Sequence, residues 1–416
     1  MKKLLILTAF LVAANLHAAT PLQTLEFYKT QLEDFPTATT KSERDFSAAL
    51  AQNLGTWARQ NPEDSHAPQV LLSQARLYLQ AQDKANALIS LLTVKTRYGQ
   101  TNLTPYKGYI QEALTALNDT SRQTAEHLFA LPTVENQTAV EKEANLLYAL
   151  SQLGGRNFYE PATVLFENFF VKYPTYEKND QVELWYGDLH RANGNYLAAI
   201  MQYKKAAALN PETPYRAASL RLIGDIYADN LKDTPNAMAM YTQVLREYDG
   251  SNETGIVYKH MAMLEENNKN FDPAIINYDK AIELLGNAPA AYEAYLGKAD
   301  VLLKTRRYED AYNMYVLTAN AYAHDSAKHT DSLMQAARTA KKYLHDNVKY
   351  TQAMEKALLK YPQNSKAPQL MYELGQIYEK QGKTAQATQI YKQLVLAHPA
   401  DKYADKAQGR LSRLEK

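Results

Sequence analysis

The groups most able to do chemistry are nine histidines and 45 acidic residues; the chain has no cysteine. Without cysteine there is no disulfide, no thiolate metal site and no cysteine nucleophile. His324 and His329 are five apart, a spacing that does not place both on one helical face. His127, His190, His260 and His345 are scattered. No HExxH pair or EF-hand loop occurs, so each histidine reads as structural or surface. Gly154-Gly155-Arg156 is a turn signal, and no phosphate-cradling loop ending in Gly-Lys-Ser/Thr follows any glycine cluster. There is no GxSxG elbow. The carboxylates are spread along the chain, and no glycosidase-type pair stands out from a solvated face. The sequence therefore assigns no catalytic residue, no cofactor site and no metal site, and the chain reads as a non-enzyme.

The elements that carry these groups must be found next. The 416 residues are 46% hydrophobic and 22% charged, a globular composition. Length alone suggests two to four domains. Fifteen glycines and sixteen prolines are too few for a loop-rich chain. With 46 basic and 45 acidic residues the net charge is +1, which gives no broad basic footprint for nucleic acid. Tyrosine is the unusual residue, at 31 against 10 phenylalanines.

The N-terminus reads MKKLLILTAFLVAANLHAAT. Lys2 and Lys3 precede an uncharged, mostly apolar stretch from Leu4 to Leu16, and Ala18 and Ala19 offer small residues for cleavage. This is the pattern of a secretory signal peptide over residues 1–19. Thirteen residues are too short to span a bilayer as a helix. No later stretch of about 18 apolar residues offers a second span, and no cysteine follows the leader for lipidation. The expectation is a periplasmic protein that is not a lipoprotein.

The rest of the chain is periodic. Asp180 to Thr213 carries Gly187, Gly194, Tyr196, Ala199, Tyr203, Ala206 and Pro211. Pro368 to Asp401 carries Gly375, Tyr378, Gly382, Ala387, Tyr391 and Pro399. An alanine followed four residues later by an aromatic recurs as Ala125/Phe129, Ala162/Phe166, Ala199/Tyr203, Ala237/Tyr241, Ala274/Tyr278, Ala311/Tyr315 and Ala387/Tyr391. From Ala87 to Ala311 the small residues are spaced 38, 37, 37, 38, 37 and 37 apart, and Ala387 follows after 76. Prolines keep the same beat: Pro174 to Pro211 is 37, and so is Pro362 to Pro399. Each unit reads as two amphipathic helices, with small residues where they cross and a proline after the second.

These two copies resemble the tetratricopeptide repeat (TPR). Its pattern has a small residue at position 8, Tyr at 11, Ala at 20, an aromatic at 24, Ala at 27 and Pro at 32. His190 departs at position 11 and Leu394 at position 27. The links add about three residues to the usual 34, and in several of them Ser or Asn can cap the next helix. The Pro-x-x-Ser-x-Ala style of Pro62 to Ala67 and Pro362 to Ala367 is similar to envelope TPR proteins of Gram-negative bacteria. Examples are the Tol-Pal coordinator and outer-membrane assembly lipoproteins.

The resemblance implies an all-α, right-handed superhelical solenoid of about ten helical hairpins. The expected organisation is a degenerate hairpin over residues 20–60, the repeat array over 61–401 and a capping helix over 402–416. In TPR proteins the first helix of each unit lines a binding groove through positions 2, 5, 9 and 12. Carried over, this selects Asp188, Arg191, Arg221, Asp225 and Lys259, with Trp185 beside them. The Lys/Asn clamp for a peptide carboxylate is not evident. Tyr292, Tyr295, Tyr312 and Tyr322 are extra to the pattern, read as core or as a ligand-facing surface. The implied function is a non-catalytic scaffold for a protein or peptide partner in the cell envelope. The alternative is a polysaccharide-binding or export-associated module, because Tyr and Trp can stack on sugars.

Overall fold

The computed structural model describes residues 38–132, 136–248 and 252–414. The expected signal peptide and the first part of the expected 20–60 hairpin lie outside them. Among the described residues there are 20 α-helices and no strand, an all-α fold.

The chain's contacts divide it into two compact units, residues 1–226 and 227–416. The first holds α1 (Lys41–Gln60), α2 (Ala67–Gln80), α3 (Lys84–Arg97), α4 (Lys107–Leu114) and α5 (Asp119–Ala130). It continues with α6 (Ala139–Ser151), α7 (Arg156–Lys172), α8 (Asn179–Ala192), α9 (Tyr196–Leu209) and α10 (Pro214–Asp225). The second holds α11 (Thr234–Glu247), α12 (Asn252–Asn267), α13 (Phe271–Leu285), α14 (Pro289–Lys304) and α15 (Tyr308–Ala321). It ends with α16 (Ser326–Thr339), α17 (Asn347–Lys360), α18 (Ala367–Lys380), α19 (Thr384–Ala397) and α20 (Lys402–Leu414).

The repeat beat is a packing beat. Ala87, Ala162, Ala199, Ala237, Ala274, Ala311 and Ala387 are all fully buried. The aromatics four residues on, Phe166, Tyr203, Tyr241, Tyr278, Tyr315 and Tyr391, are buried too. Gly187 and Gly375 show why position 8 is small: a Cβ at either would fall inside the ring of Tyr203 or Tyr391. The extra tyrosines Tyr295, Tyr312 and Tyr322 are buried, and Tyr292 packs edge-on against Tyr322 at 5.1 Å.

One joint is built the same way seven times. Gln82, Gly194, Lys232, Lys269, Arg306, His345 and Gly382 all have positive φ. Each immediately precedes the N-cap of a second helix: Asp83, Asn195, Asp233, Asn270, Arg307, Asp346 and Lys383. In five of them the N-cap N–H donates to a carbonyl five residues back, as Asn195 does to His190 at 2.9 Å and Lys383 to Tyr378 at 2.8 Å. This is the Schellman closure of the first helix. In the other two the bond reaches back six, from Asp233 to Tyr227 and from Asp346 to Ala340. Those two joints follow the π turns Ile226–Asn230 and Ala340–Leu344, which take up the extra residue.

The links differ from the sequence expectation in one respect. At Pro62 to Ala67 and Pro362 to Ala367 the N-caps are His66 and Lys366, and neither uses a side chain to cap. Asp64 and Asn364 instead accept from the N–H groups of His66 (2.8 Å) and Lys366 (2.9 Å), forming turns. The polar link residues therefore shape the turn rather than cap the helix. Tyrosines tie successive links together: Tyr98 donates to the Pro62 carbonyl at 2.7 Å, Tyr322 to Ala288 at 2.7 Å and Tyr361 to Ala323 at 2.6 Å.

Candidate binding face on the first helices

Helix α8 carries three of the six expected groove residues. Its stripe Val182, Tyr186, Leu189 and His190 is buried. Tyr186 stacks on Phe166 at 4.8 Å with the rings 7° from parallel, and the His190 ring lies 4.4 Å from that of Tyr186. Beside that stripe Trp185 packs partly buried against the edge of the core, and Arg191 is exposed. Trp185 is partly buried, with its ring 5.1 Å from that of Tyr148 on α6. Tyr148 is 42% exposed. The pair presents aromatic surface from two successive repeats.

Asp188 is drawn into the hairpin. The Tyr203 hydroxyl on α9 donates to its Oδ1 at 2.7 Å. Burial raises the Asp188 carboxyl above the usual range; the Tyr203 hydrogen bond and the charges of Arg191 and Arg221 work against that rise. Burial also pushes the Tyr203 hydroxyl far up, keeping it protonated as a donor. Arg191 reaches Asp188 only loosely, at 3.7 Å, and its side chain is 42% exposed. On α10, Arg221 donates to Asp225 at 2.7 Å, and both side chains are largely buried. Of these four charged side chains Arg191 is the most exposed.

Lys259 belongs to the second unit. It is buried on α12 and bonds Glu293 of α14 at 2.6 Å, joining two successive first helices. The structure thus brings Trp185, Asp188, Arg191, Arg221 and Asp225 into one unit and gives Lys259 a partner elsewhere. The same hydroxyl-to-carboxylate contact recurs in the second unit, from Tyr278 to Glu266 at 2.7 Å and from Tyr315 to Asp300 at 2.8 Å. It uses up first-helix carboxylates that spacing alone offers to a ligand.

Two features of the candidate face carry no sequence motif. Tyr148 has no motif signal; a one-repeat offset from Trp185, 37 residues, was the available clue. Glu183 is buried on α8, and burial raises its carboxyl to about 7 against the opposing charge of Lys205. Among the described residues no group of three or more His, Asp or Glu is placed to hold a metal ion. No described helix is long and apolar enough to cross a membrane.

The tetratricopeptide repeat family matches residues 187–252, 262–324 and 369–401. No curated protein matches the chain. Among solved structures it is similar to the C-terminal part of a TPR repeat-containing protein from Cytophaga hutchinsonii, with 20% identity, 71% of this chain and 97% of that chain covered, and a TM-score of 0.42. It is similar to BtubC from P. vanneervenii, with 14% identity, coverage of 54% and 92%, and a TM-score of 0.38. It is also similar to a tetratricopeptide repeat protein from Parabacteroides merdae, with 16% identity, coverage of 67% and 99%, and a TM-score of 0.37. The matched repeats, the buried alanine–aromatic beat and the hairpin joint agree, and over residues 187–252, 262–324 and 369–401 the chain is built of tetratricopeptide repeats.

Proposed function

We propose that this protein is a non-catalytic scaffold of the periplasm that binds a protein or peptide partner on the first helices of its repeats. The tetratricopeptide repeats support a protein-interaction scaffold. The observation that carries the site is the half-exposed Tyr148 ring set against the partly buried Trp185, on a helix that also carries the exposed Arg191 and whose Asp188 is already engaged within the fold. Aromatic rings and arginine are the side chains that dominate protein recognition. The periplasmic part rests on the leader sequence alone. Fractionation of cells expressing the tagged full-length chain tests it: recovery in the periplasmic fraction with residues 1–19 removed is expected, and retention in the cytoplasm with the leader intact overturns it.

The partner part is tested by recovering proteins on the tagged chain and on a Trp185→Ala variant. A partner held by the first and lost from the second supports the site. The Tyr148–Trp185 pair also suits stacking on a sugar ring, which keeps glycan binding as a second reading. A glycan array bound by the parent chain and silent with Trp185→Ala would favour it.

A further inference from the structure

A groove of about 720 Å³ opens in the second unit among α17, α18 and α19. Its walls are the second helices of two successive repeats, α17 and α19, and α18 contributes to its floor. The floor is apolar: Leu358, Met371, Leu374 and Ile390. The walls carry amides, Gln352 on α17 and Gln386, Gln389 and Gln393 on α19. Gln352 and Gln389 are 37 residues apart, the same place in the repeat.

Two charged residues also line the groove. The Glu355 carboxylate accepts the Tyr378 hydroxyl, so it is already engaged. Lys356 makes no ion pair among the described residues. At the end of the α17 wall Leu359 is 85% exposed, and Leu396, one repeat later, is 85% exposed as well. A volume of this size lies in the range of real ligand sites. The span from Gln352 to Leu359 is two helical turns, roughly 10 Å. Two helical walls over an apolar floor offer ridges and grooves to a third helix.

We propose that this groove takes one amphipathic helix from a protein partner. Leucine-like side chains at i, i+3 or i+4 and i+7 rest on the apolar floor. The uncharged amides accommodate polar flanks of either kind, and the single unpaired charge, Lys356, selects a carboxylate beside the stripe. The groove uses different helices from the Tyr148–Trp185 face, so either reading can fail alone.

The test is fluorescence anisotropy with the full chain. The probe is a labelled 16-residue helical peptide with a leucine stripe flanked by glutamate. Its controls are a scrambled peptide and one flanked by lysine. The stripe peptide binds and the scrambled one does not. Gln389→Trp, which fills the groove, weakens binding about tenfold or more at unchanged melting temperature. Lys356→Glu weakens the glutamate peptide about two- to fivefold and favours the lysine peptide instead. If Gln389→Trp does not fold, Leu359→Glu carries the same test, since that side chain is exposed. Equal binding of the scrambled peptide, or unchanged affinity in the groove variants, overturns the proposal. So does a dimer in sedimentation that dissociates on Leu359→Glu, because a second copy would then cover the groove.

Discussion

The Tyr203 hydroxyl donates to Asp188 Oδ1 at 2.7 Å across the α8–α9 hairpin, while the backbone of Gly187 lies against the same ring. One aromatic residue thus packs the crossing of two helices and supplies a hydrogen-bond donor to a largely buried carboxylate. Tyr203→Phe keeps the ring and removes the bond. It is expected to destabilise the protein by about 1–3 kcal/mol, because the cost is that of a buried charged acceptor losing its donor. Urea denaturation of the two chains measures it. Replacing both residues, with Asp188→Asn added, should recover part of the loss.

Gly187→Ala and Gly375→Ala place a methyl inside the rings of Tyr203 and Tyr391. Neither ring is the free end of a flexible chain, so the helices must separate. Each substitution should cost roughly 1–3 kcal/mol, the usual range for overpacking a filled site. Gly409→Ala, where a Cβ meets nothing within 4 Å, is the control and should change stability little or raise it.

The hairpin joint predicts a stabilising change. Lys269 and Arg306 hold left-handed backbone at φ of 64° and 62°, where Gly194 and Gly382 sit in other repeats. Left-handed backbone costs a non-glycine residue about 1–2 kcal/mol, and glycine returns some of that as unfolded-state entropy. Lys269→Gly should therefore raise stability by up to about 1 kcal/mol. Gly194→Ala should lower it. Thermal melts of both variants check the opposite signs.

Two buried groups on α8 titrate in opposite directions. Burial raises Glu183 from 4.5 to about 7 and lowers His190 from 6.5 to about 4; Lys205 opposes the first shift and adds to the second. Folded Glu183 keeps its proton where the unfolded chain has lost it, so its contribution falls as pH rises from 4.5 to 7. Folded His190 stays neutral where the unfolded chain is charged, so its contribution falls as pH drops from 6.5 to 4. The two slopes oppose each other between pH 4.5 and 6.5. Glu183→Gln should make the protein more stable at pH 8 and leave a stability that climbs steadily from pH 4 to 6.5 as the His190 term acts alone. Denaturation midpoints across that range measure the slope, and an unchanged profile would contradict the pairing.

How much of this was legible beforehand follows from which signals a helix crossing leaves in sequence. Alanine before an aromatic recurs at the buried hairpin crossings of this chain, so the repeat phase could be read directly. The joint was visible only at Gly194 and Gly382, because Gln82, Lys232, Lys269, Arg306 and His345 adopt the same left-handed turn without a glycine to mark it. The irregular spacing from Ala199 to Ala237, 38 rather than 37, coincides with a π turn that spacing alone could not assign to a helix or a link. The proposed binding face was harder still. Position in the repeat selects Asp188 and Lys259, but the partners that engage them, Tyr203 and Glu293, lie 15 and 34 residues away and depend on which rotamers the packing permits.

The proposed binding face is tested most directly by a photo-crosslinking amino acid placed at Tyr148 of the tagged full-length chain, in cells, with Met201 on α9 as the comparison site. Tyr148 and Met201 are 42% and 60% exposed, so the chemistry is available at both. A partner that binds through the first helices is expected to give a discrete crosslinked band from position 148, lost on Arg191→Glu, and none from position 201. A band of equal strength from both sites, or from 201 alone, would contradict it.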